Sequence, residues 1–316
     1  MPSTELHHQT PVFESVQMSA ACGKTVLLKM DCYQPGGSFK IRGIGRVCAE
    51  HVEAGTRHLV CSSGGNAGLA VAYSARQLGV AATVVVPETT SAEVRDRISL
   101  EGAEVIVHGH VWDVADIHAN KLSKQLGGAY IHPFEHPTTW RGHATMIEEA
   151  TRQCERPDAI VVSVGGGGLL CGIIEGLEGC DWDEVKVIAV ETEGADSLAA
   201  SVAAGELVTL DRIASIATTL GARRVASKAY EYATTRNIVP WVVSDAAAVE
   251  ACLRFSEDHK VLVEPSCGAS LSPVYEHASV IEAADTVLVV VCGGSGVSID
   301  KLLAWKRELG GNAARS

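Results

Sequence analysis

Lys40 has the surroundings of a nucleophile. It follows a turn made by Pro35, Gly36 and Gly37, then Ser38 and Phe39, and it opens an apolar-periodic run of Ile41, Ile44 and Val47. That run predicts a helix to about Ala54, with Ser38 able to cap its first amides. A lysine at a helix start meets the positive end of the helix dipole. The ammonium is disfavoured there, and the neutral amine, the form that attacks a carbonyl, is favoured. Taken alone, the stretch reads more simply as a surface lysine in a loop-to-helix turn. Distant glycine-rich loops change the balance.

Gly165 to Gly168 are four consecutive glycines between a strand pattern and a helix pattern. One or two glycines make a tight turn; four leave bare amides at a helix start, a cradle for a phosphate. No Gly-Lys-Ser/Thr follows, so this is no P-loop. The glycines also lack the spacing of a dinucleotide fingerprint, although Glu191 stands at a suitable distance. Ser62 to Gly68 offers hydroxyls, an amide and free backbone donors at another helix start. It suits a small carboxylate, and Asn66 could hold a phenolate or hydroxyl oxygen; a capped helix turn accounts for it equally well. Cys292 closes the last strand ahead of Gly293, Gly294, Ser295 and Gly296. A lone thiol there is ordinarily packing, and as a ligand partner it could hydrogen-bond a ring nitrogen. Glu191 ends a strand, where a carboxylate caps a helix, binds a cation or does acid–base work; the first two roles fit best. His132, His136 and His143 are spaced too loosely for zinc. Ser62 and Ser63 have no evident base, so no serine triad is read.

These residues need a scaffold that sets loops side by side. Strand patterns at 26–30, 58–61, 81–86, 104–107, 159–164, 185–191, 238–243 and 286–291 alternate with helix patterns at 69–78, 91–101, 111–126, 142–153, 169–177, 195–204, 222–235 and 245–258, the last with Asp245 as cap. Another helix follows Pro265, and one more ends the chain. Residues 58–131 read as a βαβαβαβ unit, and 132–137 as a connection between domains. The fold class is α/β with mostly parallel strands. Such sheets bind ligands at strand carboxyl ends, and the loops 34–40, 62–68, 165–168 and 292–296 fall there or just before a helix.

The 316 residues allow two domains, and 47% hydrophobic against 20% charged residues describes a globular chain with a sizeable core. Net charge is −12, from 26 basic and 38 acidic residues, with no basic stripe, so no nucleic-acid partner is expected. No stretch approaches the ~20 apolar residues of a membrane helix. The ten cysteines contain no C-x-x-C pair. With no cationic, apolar leader at the start, they imply reduced thiols and a cytoplasmic location.

Together the pieces Gly37–Gly43, Ser62–Gly68, Gly165–Leu170, Val263–Ala269 and Val291–Ser295 resemble the fold-type II pyridoxal-phosphate enzymes, and within them the serine/threonine dehydratases with a single catalytic unit, the L-serine dehydratase and serine-dehydratase-like group. No residues remain for the regulatory domain of the larger threonine deaminases. The resemblance implies two open, mostly parallel α/β domains of the tryptophan-synthase-β-like type: a large one of residues 1–34 and 139–316, a small one of 35–138, and the cofactor in the cleft between them. It implies that Lys40 holds pyridoxal 5'-phosphate as a Schiff base and Phe39 stacks on its ring. Gly165, Gly166, Gly167, Gly168 and Leu169 would take the phosphate, Asn66 the 3-hydroxyl and Cys292 the pyridine nitrogen. Ser63, Gly64 and Asn66 would bind the substrate carboxylate. A monovalent cation, K+ or Na+, would sit on Glu191 and the carbonyls of Gly165, Ala195, Leu220 and Ala222. The assembly implied is a homodimer. Two positions depart from the pattern. Part of the family has alanine where Gly64 stands, and Thr219 occupies the place of a small residue on the other ring face.

The implied reaction is α,β-elimination from L-serine or L-threonine. Lys40 takes the Cα proton, the cofactor phosphate protonates the departing hydroxyl, and pyruvate or 2-oxobutanoate leaves with ammonia. A neutral thiol at the ring nitrogen favours prompt elimination over racemisation. The rival readings are serine racemisation or β-replacement on the same scaffold, and a non-catalytic protein that binds a small metabolite.

Overall fold

The computed structural model of the protein describes residues 5–313. Its elements gather into two compact units. One takes the chain up to Gln9 with residues 34–143; the other takes Thr10–Tyr33 with the chain from Ala144 onward.

Residues 10–33 contribute β1 (Val12–Glu14), α1 (Val16–Cys22) and β2 (Thr25–Lys29), with β1 antiparallel to β2. Sequence periodicity finds only the strand. α1 has two turns and one buried side chain, Met18, too little for a periodic signal. Its ends are nonetheless explicit: Ser15 Oγ accepts from the Met18 amide at 3.1 Å, and Gly23 closes it at φ 68°.

The unit of residues 34–143 starts with α2 (Lys40–Glu53). Then come β3 (His58–Cys61), α3 (Asn66–Leu78), β4 (Ala81–Val86), α4 (Ala92–Leu100), β5 (Glu104–Val107), α5 (Trp112–Gln125) and β6 (Ala129–Tyr130). The four strands are all parallel, in the order β5-β4-β3-β6. Ile41, Ile44 and Val47 of α2 and Val71 of α3 pack with Val84 on one face; Ala115 and Ala119 of α5 pack with Val60 and Val85 on the other. Apolar residues on both faces of the strands are what a buried parallel sheet requires. Helix α6 (Pro137–Ala150) follows and opens on the proline, five residues before the predicted start at 142. Proline suits a first helical position because its missing N–H would have no partner there.

From Ala144 the chain adds β7 (Ala159–Ser163), α7 (Gly168–Glu178), β8 (Lys186–Thr192), α8 (Ser197–Ala204), α9 (Ser227–Thr235), β9 (Ile238–Val243), α10 (Asp245–His259), α11 (Pro265–Tyr275), β10 (Thr286–Val290) and α12 (Ile299–Ala313). The sheet order is β1-β2-β10-β7-β8-β9, parallel apart from β1. Every residue of α11 is buried. Gly268 lets α10 close on it, since a Cβ there would lie 2.1 Å from the Ala248 carbonyl oxygen. The helix predicted at 222–235 begins only at Ser227; residues 222–226 are loop. The predicted Asp245 cap is a correction as well. Ser244 caps α10 from Ala247 N at 3.1 Å, while Asp245 accepts from Ser215 Oγ at 2.6 Å and Ile216 N at 3.0 Å. Among the described residues no helix is long and apolar enough to cross a membrane.

Candidate active site

Lys40 is the first helical residue of α2, and Phe39 before it is already helical at φ −53°, ψ −20°. Ser38 does not cap the helix as expected. It is extended and buried, and no side chain caps α2. The turn before it is a short 3-10 segment over Pro35–Gly37, which places the aromatic ring and the amine on the first turn itself. Lys40 Nζ donates to the Pro133 carbonyl at 2.9 Å and stands 5.1 Å from the Phe39 ring centre.

The Pro133 carbonyl is held by its own loop. His132 Nδ1 accepts from the amides of Glu135 (2.9 Å) and Phe134 (3.3 Å), and Trp140 Nε1 donates to the Phe134 carbonyl at 2.8 Å. Behind Phe39, at 5.0 Å, lies the ring of His143. That imidazole is fully buried with neither nitrogen bonded, and burial, then Lys40 and Arg42, push it well below its usual range. It is a neutral packing ring. Gly43 makes room for it: a Cβ there would lie 2.7 Å from His143 Cε1 and 2.5 Å from the Thr139 carbonyl oxygen.

In the same unit, α3 starts at Asn66, three residues before the predicted Leu69, with Gly65 at its N-cap and no side-chain cap. Asn66 is therefore on the first turn of the helix rather than in the loop, and it is buried. Ser63 Oγ accepts from Gly65 N at 3.3 Å. Gly64 faces Thr90, whose Oγ1 would be 2.3 Å from a Cβ at position 64. Ser62, Asp116 and Tyr130 form a cluster that sequence reasoning missed. Ser62 Oγ donates to Asp116 Oδ1 at 2.5 Å and meets Tyr130 OH at 2.9 Å, and Tyr130 donates to the same carboxylate oxygen. It fastens the floor of the 62–68 loop to α5 and β6.

In the other unit, β7 leads into Gly165–Gly168. Gly167 is the N-cap of α7 at φ 84° with no side-chain cap, and a Cβ on it would come 2.5 Å from Ala229 Cβ. Gly165 is pressed on the 218–220 turn, its missing Cβ only 2.9 Å from Leu220 Cα. Leu169 is buried on the first turn of α7.

Glu191, in β8, is buried. Its two carboxylate oxygens accept from Leu198 N (2.9 Å) and Ala199 N (2.8 Å) at the start of α8. Burial pushes it up to about 8 although those amides pull the other way. Ala195 N bonds back to Thr192 O at 2.9 Å, and Ala222 N to Leu220 O at 2.7 Å.

Cys292 lies two residues beyond β10 and is buried. A hydrogen bond with Cys267, then burial, push its thiol well up, so it is neutral. All ten cysteines are free. Gly293 and Gly294 after it have φ 86° and 124°. Thr219, which sequence reading singled out only as a departure, is joined by its hydroxyl to Glu264 Oε1 at 2.5 Å and to Ser266 Oγ. Among the described residues no three His, Cys, Asp or Glu side chains gather as a metal site.

The residues fit an aldehyde cofactor with an anionic tail. An uncapped glycine helix start offers amides to a phosphate and has no room for side chains. A first-turn lysine beside an aromatic ring offers an amine. The thiol beyond β10 is neutral and buried.

Comparison with known proteins gives the same chemistry. Residues 4–293 match the family described as pyridoxal-phosphate dependent enzyme. The human protein named L-serine dehydratase/L-threonine deaminase is 46% identical over 98% of both chains, and human serine dehydratase-like is 45% identical over 96% of this chain and 95% of its own. Among solved structures, an L-serine ammonia-lyase of the fungus Rhizomucor miehei superposes with a TM-score of 0.92 at 42% identity, covering 96% of this chain and 98% of the other.

Proposed function

The chain belongs to the pyridoxal-phosphate dependent enzyme family, and from that premise we propose that it is an ammonia-lyase acting on L-serine and L-threonine. The observation that carries this reading is the end-to-end likeness to L-serine dehydratase/L-threonine deaminase, 46% over 98% of the chain, with Lys40 on the first turn of α2. Lys40 is the residue to which the cofactor attaches and the base that removes the Cα proton. Phe39 lies along the ring. Gly165, Gly166, Gly167, Gly168 and Leu169 hold the phosphate by their amides, Asn66 the ring hydroxyl and Cys292 the ring nitrogen. Ser63, Gly64 and Asn66 hold the substrate carboxylate. The bound cofactor supplies an electron sink for the charge that develops at Cα.

What supports both roles for Lys40 is its position on the first turn of α2, where its amine donates to the Pro133 carbonyl beside the Phe39 ring. Removal of the Cα proton and departure of the β-hydroxyl give an enamine, which tautomerises and hydrolyses to the 2-oxo acid and ammonia. The neutral thiol of Cys292 offers the ring nitrogen no negative charge, which favours elimination over inversion at Cα. The same reading takes residues 1–34 and 139–316 as the large cofactor-binding domain and 35–138 as the small one; the compact units instead put the chain up to Gln9 and residues 139–143 with the latter. It also includes a K+ or Na+ ion on Glu191 and the carbonyls of Gly165, Ala195, Leu220 and Ala222, and a cytoplasmic homodimer.

The test is direct. Purified protein supplied with pyridoxal phosphate should show a visible absorption band that borohydride bleaches, and should release 2-oxo acid from L-serine and L-threonine. Lys40→Ala should lack both. A colourless wild type, or 2-oxo acid release that survives Lys40→Ala, rules the reading out.

A further inference from the structure

One peptide unit joins His132 to Lys40. Its amide half, Phe134 N, donates to His132 Nδ1 at 3.3 Å, and its carbonyl half, Pro133 O, accepts from Lys40 Nζ at 2.9 Å. No peptide bond among the described residues is cis, and a trans unit is planar, with N–H and C=O pointing opposite ways. Holding the N–H on one side therefore aims the C=O to the other. The next unit is fixed in the same fashion. Glu135 N donates to the same Nδ1 at 2.9 Å, and the Phe134 carbonyl accepts from Trp140 Nε1 at 2.8 Å. Pro133 adds stiffness, because its ring leaves only ψ to turn. All of these residues belong to the unit of residues 34–143. The turn follows β6, which pairs in parallel with β3, so it leaves the same end of the sheet as the 62–68 loop.

The tautomer of the imidazole follows from these bonds. A nitrogen that accepts from two amides carries no hydrogen, so the hydrogen of neutral His132 is on Nε2. Protonation would put a hydrogen on Nδ1 and end both amide bonds. Burial above all pushes His132 below the usual histidine range. Lys40 on α2 and His136 in the same loop act the same way, against Asp116 on α5 and Glu135. The Phe134 ring meets the imidazole edge-on at 4.7 Å, and the Tyr130 ring of β6 does so at 6.3 Å. These surroundings favour the neutral ring, which is the form the turn needs.

We propose that His132 is a positioning residue for Lys40: as a hydrogen-bond acceptor it holds the 133–135 turn so that the Pro133 carbonyl catches the lysine amine and fixes its direction. This role rests on Lys40 being the attaching amine and the base, and it deepens that reading. A lysine ends in a flexible four-carbon stem, so its amine has many places to be. The carbonyl selects one of them. Because the amine donates in that bond, the bond does not consume its electron pair, which is the part that attacks a carbonyl or removes a proton. His132 acts through the turn alone.

The experiment reads Lys40 in the cofactor-free protein. Attachment of pyridoxal, which lacks the phosphate and so does not depend on the glycine loop, is followed by absorbance, trapped with borohydride and located by peptide mapping. Wild type, His132→Leu and His132→Asn are compared. The Asn side-chain oxygen accepts in place of Nδ1 and does not titrate. His132→Leu leaves two amides without their acceptor. It should slow attachment about tenfold at neutral pH, and lower kcat for L-serine in the holoenzyme by a similar factor with little change in KM. His132→Asn should restore both. The ratio of wild-type to His132→Asn attachment rates should be steady at neutral pH and fall as pH drops below the ordinary histidine range, because only the wild type loses its acceptor.

A wild-type rate in His132→Leu, a His132→Asn as slow as His132→Leu, or a ratio that does not move with pH overturns the role. If His132→Leu does not fold, the pH ratio decides. Pyridoxal attached elsewhere than Lys40 overturns the role together with the reading beneath it. A holoenzyme that takes up its cofactor at Lys40 yet releases no 2-oxo acid overturns the elimination reading alone, and the attachment rates still decide on His132.

Discussion

Two helix starts, one in each unit, carry the proposed site residues, and they are made in opposite ways. At α2 side chains crowd the first turn: Phe39 on His143, Lys40 on Phe39 and on the Pro133 carbonyl. At α7 side chains are stripped away, and Gly165 and Gly167 are pressed so closely on their neighbours that no Cβ would fit. The first start presents a reacting group whose direction is set by packing. The second presents bare amides whose direction is set by the backbone. Reactivity needs a side chain that can be aimed, while anion binding needs side chains out of the way. Mutations at the two starts should therefore fail differently.

The largest effect belongs to α2. Lys40→Ala should lower 2-oxo acid release on the order of 10⁴-fold, because the attaching amine and the base go together. Inorganic phosphate binding, followed by calorimetry, should persist, since the α7 amides are untouched. The reverse is expected for Gly167→Val. A β-branched residue at φ 84°, with its Cβ 2.5 Å from Ala229 Cβ, strains the turn and disturbs the cradle. Stability should fall by about 2–4 kcal/mol, and loss of one charge-assisted amide bond should weaken phosphate binding about tenfold or more. If Lys40→Ala weakened phosphate binding as much as Gly167→Val does, the two starts would not be separable.

This contrast also explains what sequence could and could not reveal. Gly165–Gly168 and the lysine after the 35–39 turn are local patterns, and local patterns are legible. The alternation of strand and helix from 58 to 131 is legible for the same reason: each parallel strand is a short apolar run of its own. α1 was missed because a two-turn helix has no period to detect. Ser38 and Asp245 were misplaced as caps because several polar residues near a helix start can serve, and only backbone geometry selects one. The Thr219–Glu264–Ser266 cluster was invisible because its members lie 45 and 47 residues apart. Glu264 stood inside a recognised motif, yet nothing local says that its carboxyl group leaves its own helix. His143 was set aside as too loosely spaced for zinc; that its ring packs on the one beside Lys40 required the fold.

A second pair of groups sharpens the comparison at a smaller scale. Glu191 and Glu264 are both buried in one unit, the first held by two amides, the second by the Thr219 hydroxyl and the Gly296 amide among others. Glu191 sits at about 8, above its unfolded value of 4.5. The folded state thus binds its proton more tightly than the unfolded chain does. Its contribution to stability is full below pH 4.5 and is lost as pH rises through about 8. Thermal melts of wild type should fall over that window more steeply than those of Glu191→Gln. Potassium, if it binds at Glu191, favours the ionised form and should flatten the wild-type slope relative to tetramethylammonium. An unchanged slope would count against the cation.

The smallest expected effect tests how much of the side-chain-rich unit can give way. A Cβ at position 64 would lie 2.3 Å from Thr90 Oγ1, 2.9 Å from Thr90 Cγ2 and 3.2 Å from Thr90 Cβ. The obstacle is one short side chain on a partly exposed loop, not backbone as at Gly165. Gly64→Ala should therefore cost only about 1 kcal/mol and act mainly on KM for L-serine, through the carboxylate loop. In the Gly64→Ala background, Thr90→Ala should return most of that loss, because the shorter side chain vacates the contested space. A double-mutant cycle on KM then yields a coupling of about 0.5 kcal/mol or more. Zero coupling would mean that the loop of Gly64 moves rather than Thr90, and that this unit is less firmly set than the packing around Lys40 implies.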